Sequence, residues 1–431
     1  MFREISTVSL QGKKLLILAG AAIHCKVVDA ARALGVYTIV TDYLESSPAK
    51  EIADEKWMLD INDVDAIVKK CRETKVDGVL NFCIDPAQRP YQKICESLNL
   101  PCYGTAEQFQ VLTDKPTFKA FCEKCGVDTI PAYTVEDVEN GACEYPVFIK
   151  PTDSRGSRGQ ATCYTKEEAS AAIRSAMQES SDGGVVIEKI MEGKQDFSMT
   201  YFVCDGKPYL IRTCDRYLGR AADKLNKQCV GCIAPSKYTD MYINKVEKKI
   251  EDFISALGIR NGPVFMQGFV DGDTVRFYDP GLRFPGGEYE RMLKEATGVD
   301  IMTAMVEFAL TGKVSKPQGI ENKPYMLGDH YTIQLPITAR PGKIAILEGM
   351  DEIAQNPSVT FAFNRYNVGD TVPETGDVRQ RICEVAMVIR QTESVCESVK
   401  WVQSKLKVQD DNGENLLTSL VDPAALNYTQ R

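Results

Sequence analysis

Residues 149–160, IKPTDSRGSRGQ, gather the densest set of chemistry-bearing side chains in the 431-residue sequence. A strand-like run delivers Lys150 beside a loop that holds Ser154, Gly156, Ser157 and Gly159, with Arg155 and Arg158 between them. Glycines let backbone N–H groups converge on phosphate oxygens, hydroxyls add donors, and the cations offset anionic charge. The loop therefore suits a polyphosphate. Its spacing is not GxxxxGK[ST], which excludes a Walker-type ATPase. The competing reading is a surface loop with solvated arginines. Three other segments join it: Lys115 at the head of a predicted helix, VVIEKIMEGKQDFSM with Glu188 and Asp196, and the pair FMQGF and FYDPGLRFPGG with Gln267, Asp279 and Arg283.

The elements that must position these groups follow from periodicity. Residues 14–103 alternate apolar runs (KLLILAG, YTIVTDY, VDGVLNF) with amphipathic ones (CKVVDAARALG, VDAIVKKCRETK, YQKICESLN), the rhythm of a parallel sheet with crossover helices. Gly20 and Asp42 stand where a dinucleotide fingerprint would, but only one of its three glycines is present, so the turn reads as scaffold. From Thr113 the texture changes to α+β. LTDKPTFKAFCEKCG predicts a helix capped by Asp114, and strands follow, with hairpin turns at Asp205-Gly206 and Asp271-Gly272-Asp273. Residues 325–431 open on strand-like YTIQLPITA and end on helix-like TESVCESVKWVQSKL.

Composition bounds the function. Lys and Arg number 51 against 60 Asp and Glu, a net charge of −9, so a phosphate-tracking nucleic-acid binder has no global electrostatic support. The longest apolar run near the start spans about ten residues, too short to cross a bilayer. Fifteen cysteines scattered through apolar segments predict reduced thiols in a cytoplasmic protein. The CxxC pairs Cys122/Cys125 and Cys229/Cys232 could supply four thiolates to zinc, but the first pair sits in a helical run, so the expectation is core-facing thiols. His24 and His330, the only histidines, are expected to be structural.

Taken in order, these motifs resemble the ATP-grasp superfamily, with likeness to the carbamoyl-phosphate synthase large chain, biotin carboxylase and the L-amino-acid ligases over about residues 14–415. The resemblance implies an α/β protein with a Rossmann-like pre-ATP-grasp domain at 1–112, a nucleotide-clasping ATP-grasp domain at 113–324, and a C-terminal subdomain at 325–431 packing on it. It also implies site roles. Lys115 and Lys150 hold the ATP phosphates under a lid of residues 154–159. Glu188, Lys189, Ile190 and Met191 form the adenine hinge, and Asp196 holds the ribose, with Gln195 as competitor. Gln267 and Asp279 bind Mg²⁺, or Mn²⁺ in its place. Arg283, with Lys150, acts on the transferring phosphoryl group, and Arg212, Arg216 and Lys224 are further basic candidates.

The implied reaction is ATP- and Mg-dependent activation of a small carboxylate as an acyl phosphate for capture by an amine, a thiol or another nucleophile, in a chain free to form homo-oligomers. One residue departs from the family's Glu-x-Asn-x-Arg run: Gly281 replaces the second oxygen ligand in Asp279-Pro280-Gly281-Leu282-Arg283. That departure motivates the alternative of a nucleotide-binding regulator or pseudoenzyme.

Overall fold

The computed structural model of the chain describes residues 9–151, 161–180, 183–223, 225 and 228–428. The phosphate-loop residues Ser154, Gly156, Ser157 and Gly159, and also Lys224, lie outside the described residues.

Residues 14–103 form the expected parallel sheet with its crossover helices. Strands β1 (Lys14–Leu18), β2 (Tyr37–Thr41), β3 (Glu55–Trp57) and β4 (Gly78–Leu80) are ordered β3-β2-β1-β4. Leu15 to Leu18 are all fully buried, as befits a strand covered on both faces by crossover helices. The helix Val64–Thr74 begins where Asp63 accepts a hydrogen bond from the Ala66 N–H and stops at Lys75, which is left-handed at φ 58°. Asp42 accepts from the N–H of Gly20 at 2.9 Å and of Leu44 at 2.8 Å, so it ties the turn together and agrees with the scaffold reading.

Next comes a small four-stranded sheet, ordered β5-β8-β6-β7: β5 (Ala132–Tyr133), β6 (Val147–Pro151), β7 (Ala161–Cys163) and β8 (Val185–Lys189). Helices Val135–Glu139 and Lys166–Glu179 accompany it, the second capped by Thr165. This lid has its own core, built on Val147, Ile149, Ile173 and Ile187, separate from the main cluster. Preceding it, helix Lys115–Lys124 carries the predicted Asp114 cap, which accepts from the Thr117 N–H at 3.0 Å.

The floor is a large antiparallel sheet. Its strands are β9 (Asp196–Cys204), β10 (Lys207–Leu218), β11 (Cys229–Ala234), β12 (Gly262–Asp271), β13 (Thr274–Gly281) and β14 (His330–Ala339). After β14 the chain forms β15 (Gly342–Lys343), β16 (Ile346–Glu348), β17 (Val359–Asn364), β18 (Thr371–Val372) and β19 (Arg381–Arg390). The floor runs β13-β12-β9-β10-β11-β14-β19-β17. Strands from the C-terminal third thus hydrogen-bond onto those of the middle third, and β14, β19 and β17 extend the floor. Among the described residues no helix is long and apolar enough to cross a membrane.

Candidate active site

The hairpin β12–β13 does the first positioning. Its register sets Gln267 opposite Asp279, and the bulge after Gln267 re-aims the strand just where the two oxygen-bearing side chains stand. Carboxylate and amide oxygens are the hard donors that Mg²⁺ takes. Among the described residues no three His, Cys, Asp or Glu side chains are grouped to hold a metal, so an ion here would complete its octahedron with nucleotide phosphates and water. Burial raises the Asp279 carboxyl above its ordinary range, and the largest opposing influence is the charge of Lys115, which places that exposed helix-head lysine across the same space.

Beneath this pair lies a buried network. Arg216 Nη1 donates to both carboxylate oxygens of Asp196, at 2.9 and 2.8 Å, and to the Tyr278 hydroxyl at 3.0 Å. Tyr278 in turn stands 3.1 Å from Gln267 Oε1 and 3.1 Å from Asp196 Oδ2. Asp196 is only 3% exposed, and burial pushes its carboxyl up to about 6 against the pull of Arg216. Asp196, expected to hold the ribose, has both oxygens on Arg216 in this structure and orients that guanidinium. The competitor Gln195 is committed too, its amide donating to the carbonyls of Asp196 and Arg216 at 3.0 and 2.8 Å.

Arg283 is buried at the end of β13, and its partner is Asp85 of the N-terminal domain rather than Asp279. Nε and Nη2 grip the two carboxylate oxygens, the latter at 2.7 Å, while Nη1 donates to the Phe284 carbonyl at 2.8 Å. The side chain lies across Gly281, where an added β-carbon would come 3.1 Å from Arg283 Cγ and 3.3 Å from Nε. The space an asparagine would fill is thus occupied by the arginine's own stem. Lys26, also from the N-terminal domain, anchors the following loop by its ion pair to Glu290 at 2.7 Å.

Arg212, Arg216 and Arg283 converge on a cavity of about 140 Å³, together with Gln267, Ser198 and Gln334. Arg212 is 3% exposed, donates to Cys214 Sγ at 3.1 Å, and keeps a buried Nε without a partner, as does the Ser198 hydroxyl. Cys229 and Cys232 line the same cavity with sulfurs 3.3 Å apart, and all fifteen cysteines are free. The zinc alternative finds no support, since Cys122 is buried within its helix.

In the lid, Lys150 Nζ lies 3.1 Å from one oxygen of Glu188, and Lys119 Nζ lies 2.6 Å from the other. Burial acts to raise the Glu188 carboxyl, but Lys119 and then Lys150 outweigh it and hold the group below its ordinary value. In the hinge, the N–H groups of Lys189 and Ile190 donate to the Pro131 and Pro146 carbonyls, both at 2.9 Å. The Met191 carbonyl accepts from the Lys194 N–H at 3.3 Å.

Sequence reasoning passed over Lys119, Tyr278 and Asp85. Lys119 carried a signal, being four residues after Lys115 and so on the same helix face. Asp85 carried a weaker one, since it follows the carboxyl end of a parallel strand, where open α/β sheets place their sites. Tyr278 carried none beyond its place next to Asp279.

Residues 114–316 match the family model described as carbamoyl-phosphate synthase L chain, ATP binding domain. A relative is the formate-dependent phosphoribosylglycinamide formyltransferase of Prochlorococcus marinus, 24% identical over 195 residues, or 43% of this chain and 50% of that one. The chain spans about half the length of the curated relatives it matches first. Among solved structures, an L-amino acid ligase from Bacillus licheniformis superposes with a TM-score of 0.73 at 18% identity, over 93% of this chain and 100% of that one. The biotin carboxylase domain of the Hydrogenobacter thermophilus 2-oxoglutarate carboxylase, determined with MgADP and bicarbonate, gives a TM-score of 0.73 at 18% identity, over 93% and 91%. Residues 114–316 thus carry the matched ATP-binding domain, and the parallel N-terminal sheet, the lid and the antiparallel floor share the ATP-grasp fold of these solved structures.

Proposed function

We propose that the protein is an ATP-dependent ligase that activates a small carboxylate as an acyl phosphate and passes the acyl group to an amine or another nucleophile. The observation that carries this reading is the convergence of Arg212, Arg216 and Arg283 on one small cavity at the end of the strand pair bearing Gln267 and Asp279. A carboxylate oxygen held there attacks the γ-phosphorus, the bond from that phosphorus to the bridging oxygen breaks, and ADP leaves. The nucleophile then adds to the acyl carbon, loses its proton to solvent, and inorganic phosphate departs. No protein nucleophile is needed, so catalysis consists of positioning and charge neutralisation.

Lys150 and Lys115 hold phosphate oxygens, and Arg283, whose Nε and Nη2 grip Asp85, meets with its remaining N–H groups the charge that spreads over the equatorial oxygens. Gln267 and Asp279 would hold Mg²⁺, which would supply charge neutralisation to the phosphates when bound. Opening of the Glu188 pairs releases Lys150 and Lys119 toward the nucleotide, so Glu188 acts as a counter-ion for the empty lid. ADP formation measured with a panel of monocarboxylates and amino acids tests the reading. Formation that depends on both an acid and a nucleophile supports it. MgATP binding with no turnover on any pair favours the second reading, a nucleotide-binding regulator, which the lone carboxylate at Asp279 and the Gly281 replacement motivate.

A further inference from the structure

Behind the arginine-lined cavity stands a larger one of about 400 Å³. One wall is the N-terminal domain, with Ile23, Leu44 and Pro48, and the other is edge strand β17, with Phe361 and Phe363. The two phenylalanines are two positions apart on one strand face and stack at 6.1 Å between centroids and 26° between planes. Arg381 lines both cavities, and the loop after Arg283 runs between them: Pro285 and Gly286 border the small one, Glu288 the large one.

The charges of the large cavity are mostly answered within the protein. Arg365 pairs with Glu384 at 2.5 Å, Arg379 with Asp377 at 2.7 Å, and Glu288 lies 3.6 Å from Lys26 and 3.3 Å from Arg291. Arg381 differs. Among the described residues it has no carboxylate partner, its Nη2 reaches the Cys229 carbonyl only at 3.5 Å, and its Nε is buried without a partner. Arg381, Arg212 and Ser198 thus line the small cavity, each keeping a buried donor with no partner among the described residues, while the large cavity offers an aromatic shelf and apolar walls.

Resting on the ligase reading above, the geometry points to a substrate class: a monocarboxylic acid with an aromatic or branched apolar body, seated with its carboxylate in the small cavity against Arg381 and Arg212 and its body against Phe361 and Phe363. A guanidinium without a carboxylate partner favours one carboxylate. A second anion on the tail would meet apolar walls, the carboxylates of Asp42, Glu288 and Glu384, and Arg365 and Arg379, which already have partners, so dicarboxylates and phosphorylated acids are disfavoured. Cavities of this volume commonly hold small ligands by an apolar majority and a few polar anchors.

The test is calorimetric titration of the full chain, with and without MgADP, using 3-phenylpropionate, propionate and glutarate. The expected order is 3-phenylpropionate tightest, by about tenfold or more over propionate, because a phenyl ring leaves water. Phe363→Ala lowers affinity for 3-phenylpropionate by about tenfold and leaves propionate unchanged, and Phe363→Leu recovers part of the loss. Arg381→Gln weakens both monoacids alike. Glutarate or propionate binding as tightly as 3-phenylpropionate overturns the substrate class while leaving the ligase reading intact if MgADP binds. Failure of MgADP to bind, with the acids ranked as expected, overturns the ligase reading instead.

Discussion

The lid and the floor hold their charged groups in opposite ways. The floor sets Arg216 in a buried network with Asp196 and Tyr278 and holds the buried Arg283 through Asp85 at the surface of the N-terminal sheet, and it draws on the main hydrophobic core. The lid rests on a small core of its own, and its Glu188 is shared between the lid's Lys150 and Lys119 of the preceding helix, at about one-fifth to one-quarter exposure. Buried networks are costly to rearrange, whereas partly exposed ion pairs exchange more readily. The contrast assigns orientation of the reacting groups to the floor and reversible capture of nucleotide to the lid.

Substitutions in the two regions should therefore separate turnover from binding. Asp279→Asn removes the one carboxylate at the paired metal position and should lower kcat by about three orders of magnitude, with ATP affinity reduced far less in a fluorescent-nucleotide titration. Arg283→Lys keeps the charge but loses the fork, and kcat should fall by about two orders of magnitude with folding unchanged by circular dichroism. Lys150→Ala belongs to the lid and should act on binding: loss of a charge-assisted contact of about 1.5 to 3 kcal/mol weakens ATP by roughly ten- to a hundredfold. If Lys150→Ala lowered kcat with ATP affinity intact, the division between lid and floor would be wrong.

Gly281→Asn sharpens the same comparison. The restored side chain would collide with the Arg283 stem, so the expected outcome is a loss of turnover by about tenfold with no lowering of the Mg²⁺ requirement, read from a magnesium titration of the rate. A lower Mg²⁺ requirement with full turnover would mean that Arg283 can move off Asp85 without harm.

The smallest effect concerns Asp196. Its folded value of about 6 lies above the ordinary 3.8, so the native state binds the proton more tightly, and its contribution to stability falls as pH rises from about 4 to about 6. The Asp196→Asn protein should lack that slope in urea unfolding at pH 4, 5, 6 and 7, whatever the constant offset from leaving Arg216 unpaired.

What the sequence made legible was local. The Asp114 cap, the Asp271-Gly272-Asp273 turn and the strand–helix alternation of residues 14–103 rest on neighbours in the chain, and the structure has them in place. The pairings that decide the chemistry are long-range: Asp85 with Arg283 across 198 positions and Lys119 with Glu188 across 69. Residue type and periodicity carry no information about such distances, which is why neither Asp85 nor Lys119 stood out in the sequence. The extension of the floor by β14 and β19 was hidden for the same reason, since a strand's own pattern does not name its neighbour.

The central claim is that a carboxylate oxygen becomes bonded to the γ-phosphorus within the arginine-lined cavity. It is tested most directly by turning over an acid labelled with ¹⁸O in its carboxylate, together with ATP and an amine, and weighing the inorganic phosphate released. One ¹⁸O atom in each phosphate is the predicted result. Phosphate free of label, formed at the same rate, would contradict the account and show that water rather than the carboxylate attacks ATP.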